Sequence, residues 1–440
     1  MEIRQIIEQN PWWEDREKIK EDEKVKEALA KKNKMFFPFE EGNFLLVGPR
    51  QVGKTTYLKL SILGLINKGV SPKKLLYFSC EPLNNFEEIL EIVRFSDSLV
   101  EGEKYLFFDE VTFVKDWQKA IKYLLDSPLG RQKNLYISGS SSLALKKETF
   151  PGRKIETKEF LPLSFNKFSK IFVSPNLKKE IKKAKARINI FNTKEIFQKA
   201  KILIFFFNEI SRLFDFYLKC GGFPRSIYEL MEGKGIKEET YEIYWKWLVS
   251  DIAKIERSEK ITRSVLIGVL KNYSSRFSMN SIARETEIGS HVTVREYLEI
   301  LEDLFVLRNI FPIDLKRKVE VFRRMRKVYF TDPFLFLVFK KMLTGQSSEI
   351  KDIPKIVEGM VGEHLIRNFE KIFYFSNKKE IDFVLNNFGI EVKWQSKVSL
   401  RDFPKIDLKN KIILSKSDFE YSKKDNLLIL PAAVFLLLLE

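Results

Sequence analysis

From residue 43 to about 165, short apolar runs alternate with stretches whose apolar residues recur every three or four positions. Continuous apolar runs suit strands buried on both faces, and the longer spacing suits amphipathic helices. Phe44 to Val47, Tyr105 to Phe108 and Asn134 to Ile137 are the expected strands. This rhythm predicts an α/β fold with a parallel sheet and right-handed crossovers. Residues 1 to about 40 are charged and expected to be helical, with Trp12 and Trp13 available to pack on the sheet edge.

The pattern then changes. Leu177 to Cys220 has helical spacing, with a strongly basic LKKEIKKAKARINIF followed by ILIFFFNEISRLFDFYLKC, which must bury one side. Helices from about 225 to 270 carry Tyr241, Tyr244, Trp245 and Trp247 as core. Between Ser278 and Phe311 a short helix (281–287), a turn at Ile288-Gly289-Ser290 and a long amphipathic helix form a helix-turn-helix. Leu298, Leu301 and Leu304 supply its core contacts, and the alternating LKRKVEVFRRMRKVYF suits a wing hairpin. From Asp352 onward come a helix, VEGMVGEHLIRNF, and alternating short strands and helices. The terminal LLILPAAVFLLLLE is too short for a bilayer span and holds Pro431, so it reads as a buried strand followed by a turn or helix. The expected domains are a P-loop NTPase core (1–170), a helical lid (171–270), a winged helix-turn-helix (271–345) and a C-terminal α/β domain (346–440).

Composition adds a partner. With 77 basic and 60 acidic residues in 440, the formal net charge is +17. That surplus favours a polyanion, and DNA is the expected partner. Two cysteines and two histidines nearly exclude a His/Cys zinc site and suit a reducing, cytoplasmic setting. No secretory signal is visible, and no membrane partner is expected.

The chemistry is densest at Gly48-Pro49-Arg50-Gln51-Val52-Gly53-Lys54-Thr55-Thr56, which fits G-x-x-x-x-G-K-S/T between a strand and a helix. Glycines let successive backbone N–H groups curl around phosphate at the positive end of a helix. Lys54 reaches the β- and γ-phosphates of ATP, and Thr55 holds Mg²⁺. The strand 105–108 ends in Asp109-Glu110, the order of a Walker B segment. Asp109 would bind Mg²⁺ through water, and Glu110 would activate the attacking water. The third strand ends in Ser138-Gly139-Ser140-Ser141, whose polar tip could meet the γ-phosphate or the water. In the helix-turn-helix, Arg284, His291, Thr293 and Arg295 could face a groove, while Lys316, Arg317, Arg323, Arg324 and Arg326 could meet phosphates.

GPRQVGKTT, FFDE, YISGSSS, PGR (151–153), LPLSF (161–165) and GGFPR (221–225) occur in the order of an archaeal and bacterial AAA+-like ATPase family, which the chain resembles over roughly residues 35–340. The resemblance implies Ser138 or Ser140 as sensor 1, Arg153 as a finger or nucleotide sensor, and Arg225 as sensor 2. A finger acting in trans would require a homo-oligomer. Further on, Glu363, Asp382 and Glu391-x-Lys393 are similar in order to the restriction-endonuclease-like D…E-x-K core. That likeness implies Mg²⁺ on Glu363, Asp382 and Glu391, and Lys393 acting on the nucleophilic water. The implied function is ATP hydrolysis coupled to DNA binding, with metal-dependent cleavage as a further activity. The alternative is a nucleotide-dependent switch or scaffold that regulates a protein partner and carries an inactive nuclease-like domain.

Overall fold

The computed structural model describes residues 3–31, 39–139, 150–185, 189–233, 235–286, 288–321, 325–347, 349–369, 371–377 and 379–439. The chain divides into two compact units, Met1–Leu161 and Pro162–Glu440. No helix among the described residues is long and apolar enough to cross a membrane.

The first unit is built on five parallel strands: β1 (Phe44–Val47), β2 (Leu75–Ser79), β3 (Lys104–Asp109), β4 (Lys133–Gly139) and β5 (Glu156–Glu159). Their spatial order is β2-β3-β4-β1-β5. β1 and β3 are buried along their whole length, as the unbroken runs FLLV and YLFF require. β5 reads ETKE and is held through backbone pairing to β1, so no apolar pattern announces it. Since β4 lies between β1 and β3, the carboxyl ends of all three strands meet. Leu46 is in register with Ser138, and Phe108 with Ile137.

β2 is an edge strand, and an uncovered edge exposes N–H and C=O groups to unwanted pairing. Side chains from the amino-terminal segment satisfy it. The Asn10 amide donates to Tyr77 O (2.8 Å) and accepts from Tyr77 N (2.7 Å), as a neighbouring strand would. Gln9 accepts from Ser79 N, and the indoles of Trp12 and Trp13 both donate to Leu75 O. The two tryptophans are therefore seated on the sheet edge.

In the second unit, the described residues form eleven helices from Phe165–Phe172 to Ile353–Asn368, together with the short strands β6 (Leu307–Ile310), β7 (Ile313–Asp314), β8 (Val319–Glu320) and β9 (Lys327–Phe330). The short helix Met279–Glu285, capped by Ser278, precedes the helix His291–Asp303, capped by Ser290. Leu298, Leu301 and Leu304 are buried, as are Tyr244, Trp245 and Trp247. β6 pairs antiparallel with β9, and β7 with β8. The helix Pro175–Lys185 buries Leu177, Ile181 and Ala184, which accounts for its apolar spacing.

The carboxyl-terminal part is a six-stranded sheet of β10 (Phe373–Ser376), β11 (Glu380–Leu385), β12 (Phe388–Val392), β13 (Asn410–Ser415), β14 (Glu420–Ser422) and β15 (Leu427–Pro431). The order is β10-β11-β12-β13-β15-β14. β10 to β12 run antiparallel, while β12, β13 and β15 are parallel. Asn386 turns the β11–β12 hairpin at φ 51°, a left-handed conformation that asparagine tolerates. The chain closes with the buried helix Ala432–Leu438.

Asn10→Asp keeps the shape of the edge clasp but removes its donor to Tyr77 O. A loss of about 2–4 kcal/mol is expected, from missing hydrogen bonds and an unsatisfied buried carbonyl. A lowered calorimetric transition for the full chain checks it.

Candidate active site

The loop after β1 is shaped by close approach and by backbone sign. A Cβ on Gly48 would lie 2.1 Å from Phe160 O, so only glycine fits there. Gln51 (φ 64°) and Gly53 (φ 94°) turn the chain through the left-handed region. The helix Lys54–Asn67 starts immediately after Gly53 and points its positive end at the loop. Pro49 and Val52 are buried, Arg50, Thr55 and Thr56 are half-buried, and Gln51 is exposed. Lys54 is buried, and its Nζ donates to Gly48 O and Pro49 O, each at 2.8 Å. The loop's own carbonyls hold the ammonium at its mouth.

Asp109, at the end of β3, is buried and accepts from Ser138 Oγ on β4 and from Tyr77 Oη on β2 (3.0 Å). Burial, and then Asp109, push the Tyr77 phenol far above its ordinary range, so it remains a donor. Glu110 follows at φ 55°, an uncommon conformation for a side-chain-bearing residue, and its N–H donates to Ser138 Oγ at 3.4 Å. The structure thus joins Asp109, Glu110 and Ser138 in one network. Tyr77 belongs to the same network, although nothing in the sequence marks it: it is one apolar-run residue 32 positions before Asp109. Ser140 lies outside the described residues. Arg153 instead forms a forked ion pair with Asp126, at 2.9 Å and 2.6 Å. Hard oxygen donors, the Asp109 carboxylate and the Thr55 hydroxyl, suit Mg²⁺ beside a phosphate-binding loop.

In the second unit, GGFPR is a packing junction. A Cβ on Gly221 would meet Asp332 Oδ1 at 1.8 Å, and one on Gly222 would meet Leu163 O at 2.0 Å. Asp332 accepts from Gly222 N and Phe334 N, both at 2.8 Å. Leu163 N donates to Gly222 O, which ties LPLSF to GGFPR. Burial raises Asp332 to about 7. Arg225 is exposed at the start of the helix Pro224–Met231.

The D…E-x-K residues assemble differently from expectation. Asp382 on β11 and Glu391 on β12 are buried neighbours, and Asp382 N donates to Glu391 Oε2 at 3.4 Å. Lys393 Nζ lies 2.6 Å from Glu391 Oε1. Glu363 is elsewhere, clasped by Arg367 (3.0 Å) and Arg308 (3.4 Å), because residues five apart on one helix diverge in direction. The carboxylate of that helix that joins the cluster is Glu358. Lys327 of β9 fills the centre: its Nζ lies 3.0 Å from Glu358, 2.7 Å from Glu380 and 2.8 Å from Asp382. Burial opposes its charge, but Tyr329 and the three carboxylates outweigh burial and hold Lys327 well above its ordinary value. Burial, then Asp382, raises Glu391 to about 7.

An ammonium therefore stands where the sequence order implies a divalent ion. Among the described residues, no group of three or more His, Cys, Asp or Glu side chains is arranged to hold a metal. The cluster as folded does not fit Mg²⁺, and no cleavage step follows from it.

On the helix pair, Arg284, His291 and Arg295 are exposed and Thr293 is half-buried. Lys316 and Arg317 are also exposed, while Arg323 and Arg324 lie outside the described residues. Arg326, expected at the surface, is buried with its guanidinium over Phe311.

Removing Lys327 as Lys327→Met should cost about 3–5 kcal/mol, the usual penalty for orphaning buried charges. The loss should shrink on acidification as the carboxylates take up protons, which thermal midpoints against pH would show. For Asp332, a folded value raised to about 7 means stability present below about 4 and lost as pH rises through 7. Asp332→Asn should flatten that slope, worth about 4 kcal/mol at most, in the same measurement.

Comparison with known proteins supports the first unit most directly. Residues 40–169 match the AAA domain family. Residues 211–346 and 355–435 match two families described as domains of unknown function, DUF8612 and DUF4143. Two uncharacterized proteins of Methanocaldococcus jannaschii are similar. One is 29% identical over 78% of this chain and 71% of its own length, the other 25% identical over 90% and 84%. Among solved structures, the Aeropyrum pernix Orc1 protein in complex with DNA aligns at 15% identity over 76% of this chain and 96% of that one. Its TM-score is 0.30, too low to establish a shared fold. The parallel sheet, the loop after β1 and the family match agree that residues 40–169 form an AAA-type domain with a P-loop.

Proposed function

We propose that this chain hydrolyses ATP with Mg²⁺ and couples the hydrolysis to DNA binding. The carrying observation is the network of Asp109, Ser138 and Glu110 at the carboxyl ends of β3 and β4, in register with the strand that leads into the phosphate loop. Arg50, Gln51, Val52 and Gly53 present backbone to the phosphates. Lys54 exchanges the Gly48 and Pro49 carbonyls for phosphate oxygens, a charge-assisted contact stronger than the one it leaves. Thr55 and Asp109 would hold Mg²⁺, which when bound would supply charge neutralisation for the transferred phosphoryl group. Ser138 fixes both the Asp109 carboxylate and the Glu110 backbone, and Glu110 takes the proton of the attacking water.

In the second unit, the helices Met279–Glu285 and His291–Asp303 and the strands after them serve as a winged helix-turn-helix. Arg284, His291 and Arg295 on their exposed side meet DNA. The six-stranded sheet is a restriction-endonuclease-like domain in which Lys327 holds the acidic residues. Its role is to bind the nucleic acid rather than to cut it. Support comes from the antiparallel-then-parallel strand order and from the three carboxylates closed around the ammonium.

Lys54→Ala should abolish ATP turnover by the purified protein, and undiminished turnover would sink the assignment. Glu110→Gln should retain nucleotide binding while kcat falls at least about 100-fold, the lower range for losing a general base. DNA affinity should fall steeply with salt, and an affinity indifferent to salt would point instead to a protein partner.

A further inference from the structure

A cleft of about 770 Å³ opens in the second unit between the helix pair and strand β10. Its polar lining includes Arg276, Asn280, His291, Arg295, Arg326 and Asn377. This volume falls within the range of small-ligand sites. We propose that the cleft binds a phosphate group of a single nucleic-acid strand, with Arg326 as the donor at its base. The inference rests on the DNA-binding reading above and adds to it the form of nucleic acid and the residue that selects it.

Arg326 is the unusual member. It is 7% exposed, its Nη1 donates to Asn309 Oδ1 at 3.3 Å, and its guanidinium lies 4.7 Å from the Phe311 ring centre. Its Nε is buried and has no hydrogen-bond partner among the described residues. A buried N–H without an acceptor costs about 1–3 kcal/mol, and native folds seldom keep one without a use. Charge points the same way. Arg276 is neutralised by Glu380 at 2.8 Å, but among the described residues neither Arg295 nor Arg326 makes an ion pair. Burial and then Arg295 lower Arg326, while Glu299 and Glu302 act in the opposite sense.

Two guanidiniums that repel while lining one cleft focus positive potential into it. A phosphodiester matches that demand, since its paired oxygens accept from forked N–H donors and relieve the repulsion. Geometry chooses the strand form. A duplex carries its phosphates on a convex rod and reaches exposed groups such as Arg284 and Arg295. Arg326 lies recessed, so only a flexible single strand bends a phosphate down to it.

The test is fluorescence anisotropy on the full chain with a labelled single-stranded oligonucleotide and with its duplex. Inorganic phosphate serves as competitor. Arg326→Gln should weaken single-strand binding tenfold or more, leave duplex binding within twofold, and reduce the slope of log affinity against log salt by about 0.7. Arg295→Ala, an exposed change that leaves the fold alone, should weaken both forms. Arg326→Lys should recover only part of the single-strand affinity, because a point charge lacks the fork. Unchanged single-strand affinity and slope in Arg326→Gln, with the wild-type thermal midpoint kept, would overturn the inference while the DNA-binding reading stands. Equal losses for strand and duplex would also overturn it. So would competition by millimolar inorganic phosphate that equals the oligonucleotide's own affinity, since the site would then take a free anion. Wild-type protein that binds neither nucleic acid would overturn the broader reading as well.

Discussion

Asp109 is a carboxylate buried at the end of a central strand, where an uncompensated charge would be costly. Two hydroxyls make its position tolerable: Tyr77 from β2 and Ser138 from β4. This three-strand clasp exists only because β3 lies between β2 and β4, and because β4 in turn lies beside β1. The same strand order brings the phosphate loop to the acidic pair. Sheet topology, edge protection by Asn10 and the tryptophans, and the network around Ser138 are one construction, in which the site depends on the sheet's integrity.

The second unit solves a similar electrostatic problem by a different route. Glu358, Glu380 and Asp382 converge from a helix and a strand, and clustered carboxylates must find a cation or lose their charge. Lys327 supplies the cation from within the chain. It extends from β9, so the ammonium links the strand after the helix pair to the six-stranded sheet. An internal cation on a buried strand is fixed by the fold and cannot exchange as a metal does. The cluster therefore reads as a structural joint first, and of Glu363, Asp382 and Glu391, the residues that resemble a metal centre in sequence, Asp382 alone pairs with the ammonium among the described residues. Arg276 extends this joint outward, pairing with Glu380 at the rim of the cationic cleft.

The phosphate loop, the acidic strand end and the capped helix pair were legible in the sequence. Each is a local device: glycine for a left-handed or crowded backbone, a strand ending in carboxylates, a serine before a helix. The buried strands β1 and β3 were visible from their unbroken apolar runs. β5 was not, because ETKE pairs through backbone and carries no apolar signal. The GGFPR segment was read for its arginine, whereas the structure gives its glycines a close approach to Asp332 and Leu163. Glu363 and Glu358 lie on one helix, and spacing along the chain does not say which of them turns toward β11.

By itself, the sequence determined the loop after β1 and the acidic end of β3, since the glycines, Lys54 and Asp109-Glu110 constrain the backbone within a few residues of themselves. Only the tertiary structure decided which distant side chains complete each site. Tyr77 and Asp109 are 32 residues apart, and Lys327 and Asp382 are 55 apart. Strand order and register bring such pairs together, and neither follows from the periodicity of a single segment.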